Sequence, residues 1–261
     1  MAQVAVTLSI LGSGSRGNAA VLATPRTRLL IDAGFSRREL TRRMALAGHV
    51  PDELTAILVT HEHSDHVAGL AKLAAACPAA VMLNHATAAA LGKVADALPR
   101  REAFTTGVPF TFGDIEITPF ALPHDAADPV GFSFCAEGVR IVFVTDLGYL
   151  SANVKQQLRA ADCVVLESNH DLDLLKSGGY PWELKQRVLS RLGHLSNDSV
   201  AEFLRTDFDG ACAHLVLAHL SENNNLPSLA LLSAQRALAP RSRPPQLHVA
   251  AQAAPLPAIC F

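Results

Sequence analysis

A layered α/β fold is what this sequence predicts, and three observations carry the expectation. Four short stretches, Ala56–Val59, Ile141–Val144, Val164–Leu166 and Leu215–Leu217, are apolar at consecutive positions, the pattern of strands buried on both faces. Between such runs, apolar residues recur at helical spacing over Arg37–Leu46, Val67–Ala76, Ala86–Ala97, Pro181–Leu192, Asn197–Asp207 and Pro227–Ala239. With 261 residues, 49% of them hydrophobic and 18% charged, the chain can bury a full core, and disorder is excluded as its dominant state.

The elements follow in order. Val6–Leu11 and Leu29–Ile31 read as strands around Gly12-Ser13-Gly14-Ser15-Arg16-Gly17-Asn18, which suggests a hairpin. Arg37–Leu46 is an amphipathic helix with Gly48 just past its end, where helix stop chemistry prefers it. Phe110–Phe120 and Val130–Glu137 read as further strands, and Pro240–Pro245 as a surface connection before a last strand at Gln246–Val249. No low-complexity linker interrupts the sequence, so one domain over residues 1–261 is expected.

Composition narrows the function classes. Lys+Arg 22 against Asp+Glu 24 gives a formal charge of −2, so any site for a polyanion must be local. No apolar run approaches the roughly 18 residues of a membrane span. Val4–Leu11 has no Lys or Arg before it, so neither anchor nor signal peptide is visible, and a cytoplasmic location without membrane contact is expected. Five cysteines lie far apart without a C-x-x-C pair, against both a disulfide frame and a thiolate zinc cluster, and read as buried apolar residues. No obligate protein partner is evident.

Chemistry gathers where the apolar runs end. The first leads to Thr60-His61-Glu62-His63-Ser64-Asp65-His66, the second to Thr145-Asp146, the third to Glu167-Ser168-Asn169-His170 and the fourth to Ala218-His219. His61 and His63, two apart on an extended chain, share a face and can turn toward one cavity, with Asp65 and His66 in the turn beyond. Imidazole and carboxylate without sulfur suit zinc, manganese or iron in a catalytic site better than a closed structural one. His49, His85, His214 and His248 read as surface or core residues.

The H-x-H-x-D-H string after a hydrophobic strand resembles the signature of the metallo-β-lactamase fold hydrolases. That resemblance implies a four-layer αβ/βα sandwich with two divalent metals, zinc or manganese, at the edge of its sheets. It assigns His61, His63 and His124 to one metal and Asp65, His66 and His219 to the other, with Asp146 shared. Asp32, in Leu30-Ile31-Asp32-Ala33-Gly34, matches a position that orients the histidine loop. Further strings, among them Ser13–Asn18, His124–Gly131, Glu167–Asp171, Tyr180-Pro181-Trp182, Gly193–Asn197 and His219–Asn225, resemble the YycJ/WalJ-type proteins over roughly Leu11 to Leu226. The resemblance implies a DNA exonuclease acting in the 5′-to-3′ direction. Arg16 stands where a small residue is frequent in that group, and the segment after Leu226 is expected to match poorly.

For phosphodiester cleavage the metals would activate a water that Asp65 orients or deprotonates. The departing oxygen needs a proton. Glu167 and His194 resemble a carboxylate–histidine pair of tRNA 3′-processing members of the fold, which implies His194 as general acid held by Glu167. Ser13, Ser15 and Asn18 form either a phosphate nest or a plain hairpin loop. His170 either meets phosphate or bonds Asp171 in a local turn. Tyr180 and Trp182 either stack on a base or pack a helix start. Lys176, Lys185, Arg187 and Arg191 form either a local basic surface for nucleic acid or an ordinary solvated helix face. Asn223, Asn224 and Asn225 reach the site or cap the helix beginning near Pro227. The expected partner is nucleic acid, with DNA ahead of RNA. The alternative is a small-molecule metallohydrolase of the same fold, acting on a phosphodiester, lactone or thioester.

Overall fold

The computed structural model describes residues 6–261. Val4 and Ala5 of the apolar opening lie outside the described residues. Two seven-stranded mixed sheets form the centre. In spatial order the first comprises β14 (Ile259–Cys260), β1 (Thr7–Gly12), β2 (Ala19–Ala23), β3 (Arg28–Ile31), β4 (Ala56–Leu58), β5 (Ala80–Leu83) and β6 (Arg101–Ala103). The second comprises β13 (Gln246–Val249), β12 (His214–Ala218), β11 (Cys163–Glu167), β10 (Val139–Val144), β9 (Val130–Ala136), β8 (Ile115–Ala121) and β7 (Phe110–Phe112). Strands β3 to β6 run parallel, as do β10 to β13, so each sheet carries a parallel half whose C-terminal ends face one edge.

Alternation along the strands builds the layers. On β3, Leu29 and Ile31 enter a core between the sheets that includes Leu8, Phe132, Phe134, Val165 and Val216. Leu30 points the other way, into a core with Leu40 and Met44 of α1 (Arg37–Leu46) and Leu70 and Leu73 of α3 (Leu70–Ala74). On the second sheet, Val142, Leu215 and Leu217 pack under α9 (Asn197–Thr206) and α10 (Pro227–Leu238). Helix, sheet, sheet, helix is the four-layer order expected, with the apolar strands buried on both faces.

Several elements differ from the sequence reading. The Gly-Ser turn joins β1 to β2, not β1 to β3, because Ala19–Ala23 pairs antiparallel with both. The helix expected over Val67–Ala76 is α2 (Ser64–Val67) and then α3, since Gly69 gives its amide to Ala33 O at 2.8 Å instead of continuing the helical ladder. Ala86–Ala97 divides into α4 (His85–Leu91) and α5 (Lys93–Asp96) at Gly92, whose φ of 51° belongs to glycine. Phe110–Phe120 is two strands around a turn at Gly113. Two more short helices, α6 (Ala152–Gln157) and α7 (Leu172–Ser177), precede α8 (Trp182–Leu189). All five cysteines are free, as expected, but only Cys163 and Cys212 are buried; Cys77 and Cys135 are half-buried and Cys260 is exposed. Among the described residues no helix is long and apolar enough to cross a membrane.

Candidate metal centre

Strand exits from both sheets converge on one edge. The loop after β4 carries His61 and His63, and the short α2 that follows carries Asp65 and His66; the β8–β9 loop carries His124; Asp146 follows β10, Glu167 ends β11, His219 follows β12, and His194 lies between α8 and α9. Asp32, Asp146 and His219 each stand in left-handed backbone, with φ of 59°, 66° and 55°. That conformation, uncommon outside glycine, turns a side chain sharply at the strand end, and such residues cluster at functional sites.

In each of two triads, His61–His63–His124 and Asp65–His66–His219, the ligand-type atoms lie within 4.8 Å of one another. Asp146 sits between them, with Oδ2 3.2 Å from His66 Nε2 and Oδ1 3.9 Å from His124 Nε2. His124 Nε2 is 3.3 Å from His63 Nδ1, and His219 Nε2 is 3.4 Å from Asp65 Oδ2. The seven side chains assigned to metals are therefore brought together, across 158 positions of sequence from His61 to His219.

Two buried carboxylates brace the cluster. Asp32 Oδ2 lies 2.7 Å from His66 Nδ1, and Asp32 also accepts hydrogen bonds from the Thr60 amide and hydroxyl. Glu167 Oε1 lies 2.8 Å from His194 Nδ1 and 2.7 Å from His219 Nδ1, while Oε2 accepts from the amides of Leu147 and Leu195. The sequence points to Asp32 and to the Glu167–His194 pair; the bond from Glu167 to His219 has no local signal and was missed. Gly34 lets the Asp32 turn lie against the histidine loop, since a Cβ there would sit 1.6 Å from Asp65 O.

Burial and charge set the protonation pattern. Burial holds the His61 imidazole well below its usual pKa, and it also lowers His124. His61 Nε2 is buried with no hydrogen-bond partner. Burial works against a proton on His219 as well, but Asp146, Asp65 and Glu167 outweigh it and push the pKa up to about 10. His66 is raised in the same way, by Asp146 and Asp32. For His194, burial is outweighed by the Glu167 charge and hydrogen bond, which raise its pKa. Burial favours protonated Glu167, yet His194 and His219 hold it ionised with a pKa of about 2. A neutral imidazole with an orphaned nitrogen, beside carboxylates that draw positive charge onto their neighbours, fits divalent cations.

A cavity of about 220 Å³ opens onto the cluster, lined on one side by His63, Asp65, Asp146, His194 and His219 and elsewhere by Ser15, Tyr180, Leu184, Arg187 and Asn224. Ser15, Tyr180 and Arg187 of the expected substrate residues thus line it. Others do not. Ser13 and Asn18 are buried: Ser13 Oγ bonds Asn18 and accepts from the His219 amide, and Asn18 Nδ2 lies 3.1 Å from His66 Nε2. They brace His66 and His219 rather than form an open phosphate nest. His170 is buried with both ring nitrogens unpartnered, its pKa pushed down to about 4 by burial, while Asp171 caps α7 instead of bonding it. Trp182, Lys185 and Arg191 stay outside the cavity wall: Trp182 is exposed, Lys185 Nζ donates to Lys176 O, and Arg191 stacks on Tyr149. Asn223 is exposed and donates to the Tyr180 hydroxyl at 3.2 Å. Asn225 is buried among Ser168, Asn169 and Asn197, and does not cap α10. Asp125 was not singled out, yet it holds Arg187 at 2.6 Å and lies 3.4 Å from His124 Nε2.

Residues 27–219 match the beta-lactamase superfamily domain. Over 245 residues, covering 92% of this chain and 90% of the relative, the sequence is 39% identical to exodeoxyribonuclease WalJ of Streptococcus pneumoniae. It is 38% identical to exodeoxyribonuclease YycJ of Bacillus anthracis over 232 residues, 88% of each chain. The crystal structure of the metallo-beta-lactamase fold protein YhfI from Bacillus subtilis superimposes with a TM-score of 0.74 at 16% identity, covering 96% of this chain and 99% of that one. The chain belongs to the beta-lactamase superfamily, among its WalJ and YycJ members.

Proposed function

We propose that this chain is a metal-dependent phosphodiesterase working as a DNA exonuclease, with two divalent metals, zinc or manganese, held by His61, His63 and His124 and by Asp65, His66 and His219, and with Asp146 shared. The observation that carries the reading is the meeting of both triads with the Glu167–His194 pair at one cavity. The names of the relatives WalJ and YycJ favour DNA over other substrates of the fold. Bound there, divalent cations would neutralise phosphate charge and lower the pKa of an attacking water.

The protein's own groups account for the rest. Asp32 keeps His66 Nδ1 occupied, leaving Nε2 for the centre. Glu167 does the same for His219, and it holds His194 by Nδ1 so that a proton on Nε2 is available to the cavity. With its basicity raised by Glu167, His194 carries that proton near neutrality and delivers it to the departing sugar oxygen. Asp65 orients the attacking water. Arg187, fixed by Asp125, offers its guanidinium to a phosphate oxygen, and Tyr180, steadied by Asn223, supplies a ring for the terminal base. The test is incubation of end-labelled single- and double-stranded DNA and RNA with the protein under zinc, manganese and magnesium, with product lengths read over time. Stepwise shortening of DNA from one end is expected. Turnover of bis-p-nitrophenyl phosphate with every nucleic acid left intact would contradict the assignment.

A further inference from the structure

The basic surface expected along α8 is dispersed: Arg187 is paired to Asp125, Arg191 lies over Tyr149, and Lys185 is tied to a carbonyl. A different cluster stands at the first turn of α1 and on α3. Arg37, Arg38 and Lys72 are exposed, make no ion pair among the described residues, and together with Ser36 and Thr41 line one surface cavity of about 530 Å³ that no carboxylate enters. Their neighbours Arg42 and Arg43 share one carboxylate, Glu39, whereas Arg37, Arg38 and Lys72 face none across their cavity.

Their place in the fold gives the cluster a purpose. Arg37 begins α1 five residues after Asp32, and Lys72 follows His66 by six. Between those points the two segments are bonded together, Ala33 N to His66 O at 2.7 Å and Gly69 N to Ala33 O at 2.8 Å. Both basic arms therefore leave directly from the two segments that build the histidine loop. Arg187 reaches the cavity from α8, on the second half of the chain.

We infer that Arg37, Arg38 and Lys72 form a docking surface for the sugar-phosphate backbone of nucleic acid, holding the strand beyond the nucleotide in the cavity. The inference rests on the phosphodiesterase reading and adds where the rest of the polymer runs. A chain of formal charge −2 has few places to hold a polyanion, and three cations gathered at one carboxylate-free cavity are worth most against repeated phosphates.

Anisotropy of labelled single- and double-stranded DNA, titrated with full-length protein over a range of KCl, tests this. Arg37→Ala/Arg38→Ala/Lys72→Ala is compared with Lys93→Ala/Arg159→Ala/Arg243→Ala, which removes equal charge from other exposed positions. The first variant is expected to reduce the slope of log affinity against log salt by about 2–3, from roughly 0.7–0.9 per lost phosphate contact, and to weaken binding at low salt by about tenfold or more. The second is expected to match wild type, and Arg37→Lys/Arg38→Lys/Lys72→Arg to keep the slope. Equal slopes for the two alanine triples, with wild type still degrading DNA, would overturn the surface and leave the cleavage reading standing. Wild type that neither binds nor degrades any nucleic acid would remove both.

Discussion

The two sheets build the same edge by different means. The first concentrates four ligand-type residues in one loop, His61 to His66, locked from behind by Asp32 and Asn18. The second spreads its share over His124, Asp146, Glu167 and His219, one from each of four loops or strand ends, and one of these, Glu167, bonds His219, His194 and the amide of Leu147 that follows Asp146. Asp32 braces one imidazole and one backbone turn; Glu167 braces two imidazoles and two backbone amides. A compact motif needs a local clamp, whereas a dispersed one needs a hub, and removing the hub should cost more.

The sharpest way to break this comparison is to remove the residue that both halves share. Asp146→Ala is expected to abolish metal binding and nuclease activity together, since it deletes a buried charge between two imidazole groups. Full metal occupancy with normal turnover would refute the bridging role. Next comes the hub. Glu167→Gln is expected to lower metal affinity about 10–100-fold, as losses behind a ligand do, and to lower turnover further by disarming His194. Equal effects from Glu167→Gln and Asp32→Asn on both quantities would erase the distinction between hub and clamp. His194→Ala separates the two duties of Glu167: metal content stays, while turnover falls by about 10²–10⁴-fold. An unchanged rate with a good leaving group such as p-nitrophenolate, beside a large loss on DNA, would sharpen the assignment to leaving-group protonation. The smallest effect is expected from Asp32→Asn, about 10–100-fold in metal affinity with residual turnover once the metal is resupplied.

What the sequence made legible follows the same division. The H-x-H-x-D-H loop is local, so its gathering of ligand-type residues can be read from spacing alone, and the strands that lead to it and to the later candidates are unbroken apolar runs. Asp146 and His219 needed the resemblance, because a lone polar residue after a strand has many explanations. The role of Glu167 toward His219 was invisible, since the two stand 52 positions apart and meet only through the parallel pairing of β11 and β12. Ser13 and Asn18 look like open-loop residues by composition, yet the chain folds them inward as braces. Strand β2 escaped notice because alanines weaken its β signal, and β6 because all three of its residues are exposed on a sheet edge. The basic surface was expected on one helix, where charges are adjacent in sequence. The surface inferred at Arg37, Arg38 and Lys72 joins side chains of two different helices, α1 and α3, which spacing along the sequence does not bring together.

Metal stoichiometry tests the central claim most directly. Wild-type protein, His63→Ala and His219→Ala, each dialysed against zinc or manganese and assayed by elemental mass spectrometry, should hold close to two, one and one ions per chain. A wild-type chain that retains none, or variants that both keep the wild-type count, would contradict the convergence of the two halves on a shared pair of cations.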